Sequence, residues 1–458
     1  MNRTPQNGLS PTWLYSFLIV QFVCVGALVV EELGVFRFIF RIMAFVSSLG
    51  MLTLMLTPAN PLARGDWLRP IAVAYLAVLA MGFVHPALNS PLAGMASIGL
   101  NIAILAPLFW VPRIAIDSFV IRRMILMVWG FYTLSSIVGV LQVYFPERFM
   151  PDPKFIRQLV GEDVAESLKI QLDDGQSLYR PMGLSDSPGG AGTAGLATFV
   201  AGLALAVSDR VTLIRVLALM SAAVGIFCVY ISQVRTMLIV AGIDLIVFTF
   251  ITAVRGKLDR AAGLLIASSM TISLGFIWVM SIGSEAVGTR LSTLTSESAI
   301  TVYQSNRGGF LLETFESILP EYPMGSGLGR HGMMYSYFGD KGNPDSPGLY
   351  AEIQWTAWVY DGGFPLLLLG VAGVMVAIFN AVRVAITSRD PVLADMATII
   401  TTINIGVLTQ TFGSIPFVGQ NGLMFWLLNS ALFVATVARR PAIRRAPRLP
   451  QPRPAWQV

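Results

Sequence analysis

The sequence predicts an all-α polytopic membrane protein with about twelve transmembrane helices, and three observations carry that prediction. Hydrophobic residues make up 55% of the 458 residues, charged residues only 12%, and the mean hydropathy is +0.68, whereas a soluble chain carries roughly 25% charged residues. The apolar runs are continuous, without the alternation that marks a membrane β-barrel. The polar, irregular sequence is gathered almost entirely into two long insertions.

A membrane helix needs about 20 apolar residues, and twelve runs meet or approach that length. They lie at 12–30, 35–57, 70–84, 93–111, 124–145, 189–208, 216–231, 237–254, 261–282, 356–381, 392–411 and 421–437. The first run is longer than a signal-peptide core and lacks a small-residue cleavage site before Glu31, so it reads as a span. The chain therefore divides into five helices in 1–145, a first loop at 146–188 and four helices in 189–282. A large loop at 283–355, three helices in 356–438 and a basic tail at 439–458 complete it.

Charge orients the bundle. One set of alternate short loops carries Arg64, Arg69, Arg113, Arg122, Arg123, Arg210, Arg215, Arg255, Lys257, Arg260, Arg383 and Arg389, and the tail adds Arg439, Arg440, Arg444 and Arg445. The positive-inside rule places these loops, and with them both termini, in the cytoplasm. The insertions fall on the opposite face; 146–188 holds eight acids against five bases, 283–355 eight against four. Long domains translocate largely regardless of charge. Arg37 and Arg41 run against the pattern at the outer start of the second span, where they either snorkel to the interface or face the bundle interior. The net charge of +5 is scattered among loops and does not point to nucleic acid. Cys24 and Cys228 lie within apolar runs and read as small buried residues. No internal repeat marks the paired halves of a transporter.

Candidate chemistry concentrates on the outer face. Arg180, in YRPMGLSDSPGGAG, Arg235, in SQVRTML, and Arg307, in SNRGGF, all fall there. Guanidinium groups make bidentate, charge-assisted bonds to phosphate, so several around one pocket suit a diphosphate; each could equally be an interfacial anchor or pair with a nearby acid. Gly325, Gly327 and Gly329, in PMGSGLG, form either a tight turn or a close backbone approach to a ligand. They follow an amphipathic helix expected over 310–319 and ended by Pro320. His85 and His331 are the only histidines, and no HExxH, CxxC or DxD cluster occurs, so neither a metal centre nor a cofactor is expected. Glu352 and Asp186 remain as acids. On a helix, Glu352 would share a face with Trp355, Thr356 and Val359, where burial could make it a base; the alternative is a solvated acid at a helix N-terminus. Tyr335, Tyr337, Phe338, Tyr350, Trp355, Trp358 and Tyr360 crowd the same loop and fit an interfacial belt or sugar stacking. Asp244 stands alone within a span, in AGIDLIVF.

Four of these places, in order, resemble the O-antigen ligase and O-antigen polymerase superfamily: RPMGLSDSPGGAGTAGLA (180–197), SQVRTMLIV (232–240), SNRGGFLLETFESILPEYPMGSGLG (305–329) and AEIQWTAWVYDGGFPLLLL (351–369). The likeness spans residues 120 to 440 in layout. It implies a metal-independent, inverting membrane glycosyltransferase of the glycosyltransferase-C-like type, in the bacterial inner membrane, with its active site and both long loops periplasmic. Its substrates would be glycans on undecaprenyl diphosphate, as donor and acceptor. Arg180, Arg235 and Arg307 would hold the diphosphate. A flippase and a chain-length regulator would be partners in the lipid bilayer. Ligases of the superfamily carry a histidine where this chain has Ala351 and Glu352. That departure argues for a polymerase of O-antigen, exopolysaccharide or capsule, with Glu352 as base. A ligase and a lipid-linked-oligosaccharide flippase are the alternatives.

Overall fold

The computed structural model describes residues 8–58, 66–152, 169–171, 177–186, 189–209, 211–281 and 308–437. Each of the twelve apolar runs contains a helix. These are α1 (Thr12–Ala27), α2 (Arg37–Gly50), α3 (Leu68–Gly82), α4 (Pro91–Leu105), α5 (Ser118–Tyr144), α6 (Gly190–Ser208), α7 (Thr212–Ser232), α8 (Arg235–Val254), α9 (Leu258–Met280), α10 (Gln354–Thr387), α11 (Pro391–Gln410) and α12 (Gln420–Val437). Among the described residues eight helices are long and apolar enough to cross a membrane. A ninth joins them if α4 and the short helix after it, bent by 41°, form one span. The bend falls at Pro107, which has no N–H to continue the ladder. α1 and α3 are shorter apolar helices. The chain is thus a multi-pass helical membrane protein, as its composition predicts.

Local signals set several helix starts. Asp117 caps α5 by accepting from the backbone N–H groups of Phe119 and Val120, both at 2.9 Å. Asp390 caps α11 at 3.0 Å, with Pro391 at the first helical position. α6 and α11 form the centre and are mostly buried, whereas little of the span containing α2 is buried. The outer faces are apolar: Leu265, Ile266, Met270, Leu274 and Ile277 of α9 and Leu368, Met375 and Phe379 of α10 are exposed, as lipid-facing side chains are.

Lipid removes the hydrophobic drive between helices, so their association relies on small residues and polar links. α6 and α7 meet at Gly195 and Gly225, where an added Cβ would lie 2.5 and 2.6 Å from the facing carbonyl oxygen. Asn404 of α11 and Asn429 of α12 exchange amide hydrogen bonds of 2.8 and 2.9 Å. One end of the bundle is basic and paired. Arg122 bonds Asp209 at 2.7 Å, and Asp395 takes Arg255 and Lys257 at 2.7 Å and Arg260 at 3.1 Å. The long polar insertions join the opposite end.

Two features depart from the sequence reading. A two-stranded antiparallel hairpin, β1 (Lys169–Gln171) and β2 (Ser177–Tyr179), leads directly into Arg180. The helix expected to stop at Pro320 instead runs over 309–321, with a π-helical turn at Thr314–Ile318. Pro320 sits early in the final segment, Leu319–Glu321, where the wide turn relieves the need for its missing N–H.

Candidate functional site

At the end of the bundle that carries the insertions, the glycine turn locks onto a break in α10. That helix is interrupted at Gly362 and Gly363, the latter with φ +62°. Ser326 N–H and Oγ both donate to Tyr360 O, at 2.8 and 3.1 Å, and Phe364 N–H donates to Pro323 O at 2.9 Å. Gly325, Gly327 and Gly329 have φ of +99°, +95° and +71°. An added Cβ would stand 3.0 Å from Gly362 Cα, 2.5 Å from Ala87 O and 2.7 Å from the Ala93 backbone, respectively. The three glycines therefore let the turn wedge between α10 and the residues around the start of α4. Their close neighbours are protein backbone, which makes this a structural turn rather than a phosphate cradle.

Beside the turn, His331 and Asp361 form a buried pair that the sequence reading did not single out. His331 Nε2 lies 3.1 Å from Asp361 Oδ1, with the two residues 6% and 7% exposed. Burial alone lowers the imidazole's proton affinity, but the adjacent carboxylate outweighs it and holds His331 above its ordinary value. Arg330 staples the same stretch, donating to Pro347 O at 3.1 and 3.0 Å and to Ser326 O at 2.8 Å. One of two histidines and an acid in YDGG were visible in the sequence. Their contact, 30 residues apart, was not.

A cavity of about 460 Å³ opens at this end of the bundle. Ser135, Ser185, Gly189, Thr193, Val234 and Ser414 are among its walls. It gathers two of the predicted segments. Gly189, the N-cap of α6, would bring an added Cβ 3.8 Å from Arg180 Cδ and 3.4 Å from Val234 Cγ2. Val234 is in turn the N-cap of α8, whose first residue is Arg235. Arg180 and Val234 thus both flank Gly189, and the N-termini of α6 and α8 line one cavity. Of Arg235 only the backbone is described, and Arg307 lies outside the described residues.

The two predicted carboxylates occupy different settings. Asp186, next to Ser185 on the cavity wall, bonds Arg41 and stands 3.5 Å from Arg37. Arg41 also donates to Tyr337 Oη at 2.6 Å. The arginines that ran against the charge pattern therefore face inward and tie α2, the Asp186 segment and the helix Gly332–Phe338 together. With guanidinium donors on its carboxylate, Asp186 is held as a counter-ion to Arg41 and Arg37. Glu352 does not share a helical face with Trp355, Thr356 and Val359, because α10 begins only at Gln354 after its N-cap Ile353. That start is fixed by tertiary bonds. Gln354 N–H donates to Thr411 O and Ser414 O at 3.1 and 3.0 Å, and its side chain accepts from Phe417 N–H at 2.9 Å. Glu352, half-buried and bonded to the Tyr350 hydroxyl, is left two residues from a contact with the cavity wall. Among the described residues no three His, Cys, Asp or Glu side chains gather as a metal site.

Compared with models of known protein families, the sequence matches none, and it has no significant match among curated proteins.

Proposed function

We propose that this chain is a membrane glycosyltransferase that polymerises oligosaccharide repeat units carried on undecaprenyl diphosphate. In this reading all twelve apolar helices span the bacterial inner membrane in a glycosyltransferase-C-like arrangement. Both termini are cytoplasmic and the site is periplasmic. The observation that carries it is the convergence of the Arg180 segment, the Val234–Arg235 turn and two helix N-termini on one cavity. Each of these features favours an anion of high charge: guanidinium forks bind phosphate oxygens, and helix N-termini add partial positive charge.

The resemblance implies an inverting glycosyl transfer. By resemblance, Arg180, Arg235 and Arg307 hold the diphosphate of the donor and stabilise it as the leaving group. A hydroxyl of the acceptor unit attacks the anomeric carbon from the opposite face. The new C–O bond forms as the bond to the phosphate oxygen breaks, with inversion, and the hydroxyl proton passes to Glu352. Arginines supply the charge that a metal ion supplies in other transferases, so turnover is expected to persist in EDTA.

The test is direct. Purified protein in nanodiscs, given a lipid-diphosphate-linked repeat unit, should build a ladder on a gel, with or without EDTA. Arg180→Ala should abolish the ladder while the protein remains folded. No ladder, combined with transfer of a preformed glycan to a different acceptor, would overturn the polymerase assignment in favour of a ligase. No transfer of either kind would sink the enzyme reading.

A further inference from the structure

Asp244 lies in the middle of α8, nine residues after Arg235 and eleven before Arg255, so about 13 and 16 Å of helical rise separate it from either. It is 3% exposed, and its Oδ1 has no hydrogen-bonding partner among the described residues. Gly406 of α11 leaves the space it occupies: a Cβ there would stand 2.8 Å from Oδ2 and 2.9 Å from Oδ1. The carboxyl lines a cavity of about 90 Å³ whose other polar walls include Tyr132, Thr193, Gln410 and Asn421. A water needs roughly 10–15 Å³ of such space, so the cavity has room for several. Tyr132, Thr193, Asn421 and Met424 also line the 460 Å³ cavity, which makes the two neighbours through shared walls.

We propose that Asp244 is an intramembrane proton-binding site that exchanges its proton with the outer cavity through water held between Tyr132, Thr193 and Asn421. A buried carboxyl without a partner is costly in either protonation state, and water in a polar-walled cavity is what satisfies it in both. An amide or hydroxyl at the same place could bond the same water but could not carry an exchangeable charge. Among the described residues, Tyr132 is the only other titratable side chain on the cavity wall. The charged groups on the helices packed against α8 lie elsewhere on those helices. Asp395 of α11 is bound by Arg255, Lys257 and Arg260. Asp259 and Arg260 stand at the start of α9, Arg215 near the start of α7, and Asp361 and Arg383 on α10; α6 has no charged residue. The proton site is independent of the glycosyl-transfer reading, and its test does not use that activity.

Dicyclohexylcarbodiimide modifies protonated carboxyls in apolar surroundings. The acid proton adds to one nitrogen and the carboxylate oxygen to the central carbon, and an oxygen-to-nitrogen acyl shift leaves a stable N-acylurea without a leaving group. In the full chain in nanodiscs, mass spectrometry should find the adduct on Asp244. Above the midpoint of the site's titration, the adduct should fall about tenfold per pH unit. Infrared difference spectra should show a protonated-carboxyl band that shifts in heavy water and is lost in Asp244→Asn. Thr193→Val with Asn421→Leu should slow the heavy-water shift without removing the band. No adduct and no band in wild type from mildly acidic to mildly alkaline buffer would overturn the proposal. So would an adduct independent of pH, or a band that never exchanges. The wild-type measurements decide the matter even if Asp244→Asn fails to fold.

Discussion

Replacing Asp361 by alanine tests whether the His331–Asp361 pair holds the glycine turn onto the break in α10. The two side chains are 6% and 7% exposed and 3.1 Å apart, so solvent screens their interaction little. Removing one partner of such a buried pair costs about 3–5 kcal/mol. If that loss falls on the turn alone, its opening equilibrium rises by roughly two to three and a half orders of magnitude, at about 1.4 kcal/mol per decade. Hydrogen exchange of the protein in nanodiscs reads this directly. Amides across 323–331 and 360–364 should lose protection in Asp361→Ala, while the centre of α11, anchored by Asn404–Asn429, keeps it. The pH dependence has a definite sign. His331 is held above its ordinary value, so the pair's contribution is complete below about pH 6.5 and disappears as pH rises through the folded-state value. After correction for intrinsic exchange, wild-type protection of the turn should fall on going alkaline, and the variant should show no such slope. Unchanged protection of 323–331 in a folded Asp361→Ala protein would refute the clamp.

Three further outcomes follow from the same geometry. Gly327→Ala puts a Cβ 2.5 Å from Ala87 O on a backbone with φ of +95°, and should lower stability by about 1–3 kcal/mol, read as a lower Tm. Asn404→Ala leaves Asn429 without its reciprocal amide and should cost about 1 kcal/mol, seen as easier unfolding in mixed micelles. Under the proposed glycosyl transfer, Glu352→Gln should cut polymer formation sharply while leaving insertion and donor binding intact; polymer of normal amount and length would remove Glu352 from that proposal.

Much of the fold was readable because lipid imposes a coarse rule. A chain that crosses a bilayer must satisfy its backbone within each segment, so every long apolar run became a helix. The site was readable only in pieces. RPMG and QVRT each showed an arginine near a helix start, but not that Arg180 and Val234 would flank the same Gly189. Arg37 and Arg41 read as exceptions to a charge pattern. Their inward role depends on Asp186 and Tyr337, about 145 and 300 residues away along the chain. The expected helical face of Glu352 was lost because Gln354 is pinned by the α11–α12 connection, a tie that local propensity does not carry.

Composition and periodicity by themselves determined that this is a helical membrane protein, which runs enter the bundle, and which loops are basic. Those properties depend on nearest-neighbour chemistry and on transfer from water to lipid. Tertiary structure alone decided that the PMGSGLG turn packs on a broken helix, that His331 meets Asp361, and that Asp244 faces a small cavity beside the 460 Å³ one. These are contacts between distant segments, set by how the helices pack once each has formed.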